Sequence, residues 1–170
     1  MKRSREFIRA MAFATRYHQS RRQYHEVPTS EPEIFHVFDV TQAVWHELTG
    51  WSDENRYYAC TVALLHDIQE DTPCTEAELH EAEFSQEVVA AVSVLTHFAG
   101  TNYNDYVLAA ADHSWVTHLV KRLDAERNLR RLKRFFGYVE EKKILALKHK
   151  WQGALSILYA NPNHGDKKEL

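Results

Sequence analysis

Glycine, proline and cysteine are all scarce in this chain: five, four and two among 170 residues. So few helix breakers exclude a collagen-like or linker-rich polypeptide and leave room for long helices. The two cysteines, Cys60 and Cys74, cannot build a disulfide framework and form no CxxC pair, so reduced thiols are expected. Apolar runs are short, and none approaches the roughly 20 residues that span a bilayer. The opening MKRSREF is basic but no apolar h-region follows it, so the expected setting is the cytoplasm, away from any membrane. A net charge of −3 excludes polyanion binding by bulk charge alone.

What remains is ordinary for one globular domain, 44% hydrophobic and 26% charged, long enough to bury a sizeable core. Almost every segment has a helical period and none alternates convincingly as a strand. Residues 4–19 form a moderate amphipathic helix, and a polar loop, SRRQYHEVPTSEP, runs on to Pro32, which opens a second helix. Ser52 or Asp53 caps a third, Thr75 and Glu78 form a capping box, and Ser85 starts another helix. A helix around 103–111, a long one capped by Ser114 and a final one through Trp151 complete an all-α domain of seven or eight helices. The domain is expected over residues 1–160, with a polar tail at 161–170.

One stretch does not fit simple packing. Residues 64–71 read LLHDIQED, an apolar helix running straight into four ionisable side chains. If the helix continues, His66 and Glu70 share a face, and Asp67 and Asp71 the next one. Carboxylates there oppose the helix dipole, a conflict that a bound cation would remove. Two other places set polar groups among apolar neighbours. His36 lies between Phe35 and Val37, and Lys121, Asp124 and Asn128 form a stripe at i, i+3 and i+7. The long helix already has a solvent face in Arg122, Glu126, Arg130, Lys133 and Arg134, so this second stripe wants another explanation.

His36, His66, Asp67 and Asp124 make a mixed nitrogen and oxygen donor set. It suits one divalent ion, Mn²⁺, Fe²⁺, Mg²⁺ or Zn²⁺, and the lack of thiolates argues against a structural zinc. Such an ion makes a water acidic near neutral pH. Glu70 and Asp71 are then candidates to orient that water and handle protons. Lys121, Arg21, Arg22 and Asn128 are the groups available for phosphate or sugar oxygens. The remaining histidines, His18, His25, His80, His97, His113, His118, His149 and His164, have no partner at ligand spacing and are expected at the surface.

The order His36, His66-Asp67, Asp124 resembles the HD-domain metal-dependent phosphohydrolases. ALLHDIQEDT is similar to the ALLHD-x-x-EDT segment of their (p)ppGpp hydrolase branch, and VKRLDAERNLRRL to its V-K-L-A-D-x-x-x-N-L motif. LTHFAGTNYNDYV resembles a segment of small single-domain members, which makes Tyr103 and Tyr106 candidate pocket residues. The resemblance covers roughly residues 8–160. It implies the HD all-helical fold and a metal, typically Mn²⁺, held by the four donors. It also implies Glu70 and Asp71 positioning water, Asn128 at a ribose, and hydrolysis of the 3′-pyrophosphate of ppGpp or pppGpp, the alarmones of the stringent response. Glu33 and Val37 stand where this branch usually carries Tyr and Pro, so the departures fall around the substrate.

The leading reading is therefore a metal-dependent phosphohydrolase whose partner is a small nucleotide. Its rival within the class is a nucleotidase or nucleotide pyrophosphohydrolase acting on another (d)nucleotide. A non-enzyme alternative is a nucleotide- or nucleic-acid-binding HD module using the basic run Arg127, Arg130, Arg131, Lys133 and Arg134. That run is interleaved with Asp124 and Glu126, as a solvated face would be, and nucleic acid is not the expected partner.

Overall fold

The apolar run ahead of His66 becomes the central helix of the molecule. The computed structural model describes residues 2–18, 23–24, 27–28, 32–135, 137 and 139–161. Among them the chain forms α1 (Lys2–His18), β1 (Gln23–Tyr24), β2 (Val27–Pro28), α2 (Ile34–Glu47), α3 (Asp53–Leu65) and α4 (Ile68–Asp71). It continues through α5 (Glu76–Glu81), α6 (Gln86–Leu95), α7 (Tyr103–His113), α8 (Trp115–Arg131) and α9 (Glu141–Ala160), with a 3₁₀ turn over Leu132–Phe135. The two strands are a two-residue antiparallel pair, Gln23 opposite Pro28 and Tyr24 opposite Val27, inside the segment expected as loop. Otherwise the architecture is all-α, as the periodicity indicates.

Every residue from Ala59 to Leu65 is buried. A helix apolar all round needs neighbours on every side, and α3 packs against α1, α2, α6 and α8. Ser52 Oγ accepts the Asn55 N–H at its start, and Asp53 and Glu54 occupy its positive first turn.

The helix does not run on to Asp71. It ends at Leu65, His66 keeps helical angles (φ −57°, ψ −37°), and Asp67 shifts to φ −100°, ψ 3°. In a continuing helix the Ala63 carbonyl would accept the Asp67 N–H; here it accepts the His66 Nδ1–H at 2.7 Å. The chain turns and restarts as the one-turn α4, closed by Asp71 N–H to Asp67 O at 2.8 Å. The expectation that these charges form the last turn of one helix is corrected, and α4 is the one helix the periodicity does not count.

Helix α8 lies between two cores. Leu119, Val120 and Leu123 join the larger one with α1, α2, α3 and α6. Ala125 faces a second core with Tyr106, Val107, Ile144, Trp151 and Leu158 from α7 and α9. Covered on both sides, α8 must bury its Lys121, Asp124 and Asn128 stripe, and all three are buried.

Of its expected solvent face Arg130, Lys133 and Arg134 are exposed, whereas Arg122 and the neighbouring Arg127 and Arg131 are engaged. Arg122 pairs with Glu47 and Glu126, Arg127 with Asp39, and Arg131 with buried Glu33 through bonds of 2.8 and 3.3 Å. The pairs to Glu33, Asp39 and Glu47 clamp α8 onto α2 and its first turn. Glu33→Ala leaves the Arg131 guanidinium without that carboxylate, and we expect a loss of about 2 kcal/mol, read as a lower urea midpoint at unchanged m-value.

Two histidines expected at the surface are buried, His18 at the end of α1 and His118, whose Nε2–H donates to the Leu158 carbonyl at 2.8 Å. Neither belongs to the cluster around Asp124. His25 and His164 lie outside the described residues. No described helix is long and apolar enough to cross a membrane.

Candidate active site and metal centre

Three elements bring the four predicted donors together. The first turn of α2 supplies His36, the turn between α3 and α4 supplies His66 and Asp67, and the middle of α8 supplies Asp124. One ligand atom from each lies within 4.8 Å of all the others. His66 Nε2 is 3.0 Å from Asp67 Oδ2 and 3.8 Å from Asp124 Oδ1; His36 Nε2 is 3.0 Å from Asp124 Oδ1 and 3.9 Å from Asp67 Oδ2. Donors about 2.1 Å from a common ion stand about 3 Å apart at right angles and about 4 Å apart when opposed, so these spacings suit one small cation.

The chemistry of the donors agrees. Because His66 Nδ1 donates to a carbonyl, the proton of the neutral ring sits there and Nε2 carries the lone pair. That Nε2 is buried and, although close to Asp67, is not aligned in a hydrogen bond with it. A buried nitrogen without a hydrogen bond is costly and is well placed to ligate. Asp67 is the most exposed donor and His36, His66 and Asp124 are almost wholly covered, so the cluster opens on the Asp67 side.

Asp124 is the hub. Its Oδ2 accepts Lys121 Nζ at 2.9 Å, and its Oδ1 accepts Asn128 Nδ2 at 2.6 Å and faces His36. Burial opposes its negative charge, but Lys121, His36 and His66 outweigh that and hold the carboxyl well below the usual range. Burial likewise opposes the charge on His66, yet Asp67 and Asp124 hold its pKa well above the ordinary imidazole value. Asp67 is lowered in turn, its burial outweighed mainly by His66. The cluster thus holds two carboxylates ionised around two imidazoles.

Glu70 projects from α4 at the rim of the site. It reaches solvent, yet burial by the surrounding atoms and the nearby Asp67 charge raise its pKa above the ordinary glutamate value. Its Oε2 accepts the His97 N–H at 3.1 Å. His97, expected at the surface, is half-buried, and its ring lies 5.6 and 5.0 Å from those of Tyr103 and Tyr106. Tyr106 donates its hydroxyl to the Leu95 carbonyl, whereas the Tyr103 hydroxyl is buried with no hydrogen-bond partner among the described residues. Asp71 is half-buried in the same turn as Glu70. Asn128, expected at a ribose, holds Asp124 here. Arg21 and Arg22 lie outside the described residues.

Sequence reasoning missed two features. A cleft of about 470 Å³ opens beside His36, lined by Asp39, Arg127, Arg130, Arg131 and Arg134. Lys150, on α9, reaches over the Tyr103 ring, its Nζ 4.4 Å from the centroid. Nothing in the local sequence marks Lys150, one of several lysines along an amphipathic helix. The arginines were visible as a run, and only the tertiary fold turns them toward His36.

The fold is all-helical, and it gathers two histidines and two aspartates at one point. Among solved structures the chain matches one described as a metazoan ortholog of SpoT that hydrolyzes ppGpp and plays a role in starvation responses. The TM-score is 0.70, with 20% sequence identity over 92% of this chain and 86% of that one. At that identity the likeness establishes the architecture. No family model and no curated protein sequence matches the chain.

Proposed function

We propose that this chain is a metal-dependent phosphohydrolase of nucleotides, with the 3′-pyrophosphate of ppGpp or pppGpp as its leading target. The observation that carries the reading is the buried set His36, His66, Asp67 and Asp124, drawn from three elements and spaced for one ion. His36, His66, Asp67 and Asp124 would hold a divalent metal, Mn²⁺ by the family resemblance. Such an ion supplies Lewis acidity toward a phosphoryl oxygen and lowers the pKa of water.

The chain's own residues supply the rest. Glu70, a carboxylate kept basic by burial and by Asp67, takes the proton of the attacking water as its oxygen bonds to phosphorus. The bond from phosphorus to the ribose oxygen breaks, and the proton taken up by Glu70 passes to that oxygen, with Asp71 assigned to relay it. Lys121 fixes Asp124 and adds a positive charge near the phosphates. The arginine cleft beside His36 offers guanidiniums to a second anionic group of the substrate.

A second reading, hydrolysis of a different (d)nucleotide, draws on Glu33. It occupies the place of the branch's usual Tyr and is tied to Arg131 at the edge of that cleft. A panel of nucleotides with the Mn²⁺-loaded protein decides. Pyrophosphate release from ppGpp is expected; phosphate release from simple 5′-monophosphates alone would sink the alarmone assignment and leave a nucleotidase.

A further inference from the structure

The proposed chemistry leaves two polar groups unused on the α7 and α9 side of the site. Lys150 Nζ stacks against one ring, Tyr103, at 4.4 Å. Lys121 Nζ lies 6.0 Å from the same ring and 5.0 Å from that of Tyr106, which is itself 5.8 Å from Tyr103. Two ammoniums and two mutually tilted aromatic rings therefore lie together on this side of the site.

The ammoniums differ in their partners. Lys121 is tied to Asp124. Among the described residues no carboxylate lies within ion-pairing distance of Lys150. Burial and the Lys121 charge disfavour its protonated form and lower its pKa, outweighing the opposite pull of the Glu70, Asp124 and Asp67 charges. An anion would relieve that cost. The Tyr103 hydroxyl is the second vacant donor, buried and with no hydrogen-bond partner among the described residues. A half-buried ammonium and an orphaned hydroxyl on the same tyrosine both call for an acceptor. A Lys–aromatic contact alone satisfies neither.

We propose that Lys150 and the Tyr103 hydroxyl form an anion subsite that receives the phosphate chain of the substrate and holds it as inorganic pyrophosphate after cleavage. The proposal rests on the phosphohydrolase reading for its ligand. The geometry gives the seat its polarity, with one free ammonium, one free hydroxyl donor and Lys121 behind them. No bond is made or broken at the seat; it binds and orients. Lys150 is absent from the sequence motifs because α9 contributes it through tertiary packing against α7 and α8.

The test is calorimetric titration of inorganic pyrophosphate into the full chain, with and without Mn²⁺, for the wild type and for Lys150→Met, Lys150→Arg and Tyr103→Phe. Removing a charge-assisted bond should weaken pyrophosphate binding on the order of 10-fold or more in Lys150→Met. Lys150→Arg should stay within about 3-fold of wild type, and Tyr103→Phe should lose a few-fold. In steady-state hydrolysis the pyrophosphate inhibition constant should rise in Lys150→Met in the same proportion. Equal pyrophosphate affinity in wild type and Lys150→Met would overturn the subsite, as would absence of binding to the wild type. If Lys150→Met does not fold, Tyr103→Phe decides, since it removes a hydroxyl with no hydrogen-bond partner among the described residues: unchanged affinity there also overturns it. Lys150-dependent binding by a protein that hydrolyses no nucleotide would keep the anion subsite and remove the enzymatic reading. Normal hydrolysis with Lys150-independent binding would do the reverse.

Discussion

Asp67→Ala is expected to lose bound metal and phosphohydrolysis together while keeping its fold. The carboxylate lies 3.0 Å from His66 Nε2 and 3.9 Å from His36 Nε2, and it is the donor nearest solvent. Its removal leaves three ligand atoms and one fewer negative charge against a divalent ion. His66 is also left with only Asp124 as a close anionic partner among the described residues. The structural cost is small by comparison. Asp67 stands at the N-terminus of α4 but makes no side-chain capping bond there, and Ala fits its turn. Elemental analysis after chelator-free purification should find about one metal per chain in the wild type and little in the variant. A metal present at about 100 times its dissociation constant adds about 2.7 kcal/mol to unfolding, so chelation should lower the wild-type midpoint and leave that of Asp67→Ala in place. Stoichiometric metal and near-normal turnover in the variant would remove Asp67 from the site. A wild type that never retains metal would leave residues 64–71 as a charged turn between α3 and α4 and no more.

The four donors were legible because ionisable side chains interrupt apolar runs at three separate points of the sequence. His36, His66-Asp67 and Asp124 each stand where packing alone predicts Leu or Val, and nothing else in the chain does so as plainly. The turn after Leu65 was not legible. It depends on one side chain taking a backbone carbonyl from the helix ladder, and propensity does not register a bond of that kind. The clamp between α8 and α2 was hidden for a different reason. Arg127 and Arg131 follow the charge period of a solvated face, and only tertiary packing reveals Asp39 and Glu33 opposite them. His18 and His118 were misplaced because a buried imidazole and an exposed one look alike when the partner is a distant carbonyl such as that of Leu158. Lys150 illustrates the general limit. A site completed by a late helix takes whatever residue that helix carries at the right height, and a lysine there has no local signature.

Glu70→Gln is expected to keep the metal and lose turnover by roughly 10²- to 10⁴-fold, the usual contribution of a general base. The substitution is nearly isosteric. The Gln carbonyl can still accept the His97 N–H that Glu70 Oε2 takes at 3.1 Å, so the rim beside Tyr103 and Tyr106 should hold its shape. Glu70 is not among the four clustered donors, and metal content should match the wild type. What the amide cannot do is accept a proton from water. The loss should therefore fall on kcat with KM little changed. The pH profile gives a second reading of the same residue. Burial and the Asp67 charge raise the Glu70 pKa, so its basic form is present above that raised value and is lost as pH falls through it. Wild-type turnover should drop on the acid side along that titration, and Glu70→Gln should lack the corresponding limb. Turnover within a few-fold of wild type, or an unchanged acid limb, would assign the proton to another group. Asp71, in the same helical turn, would then be the residue to replace.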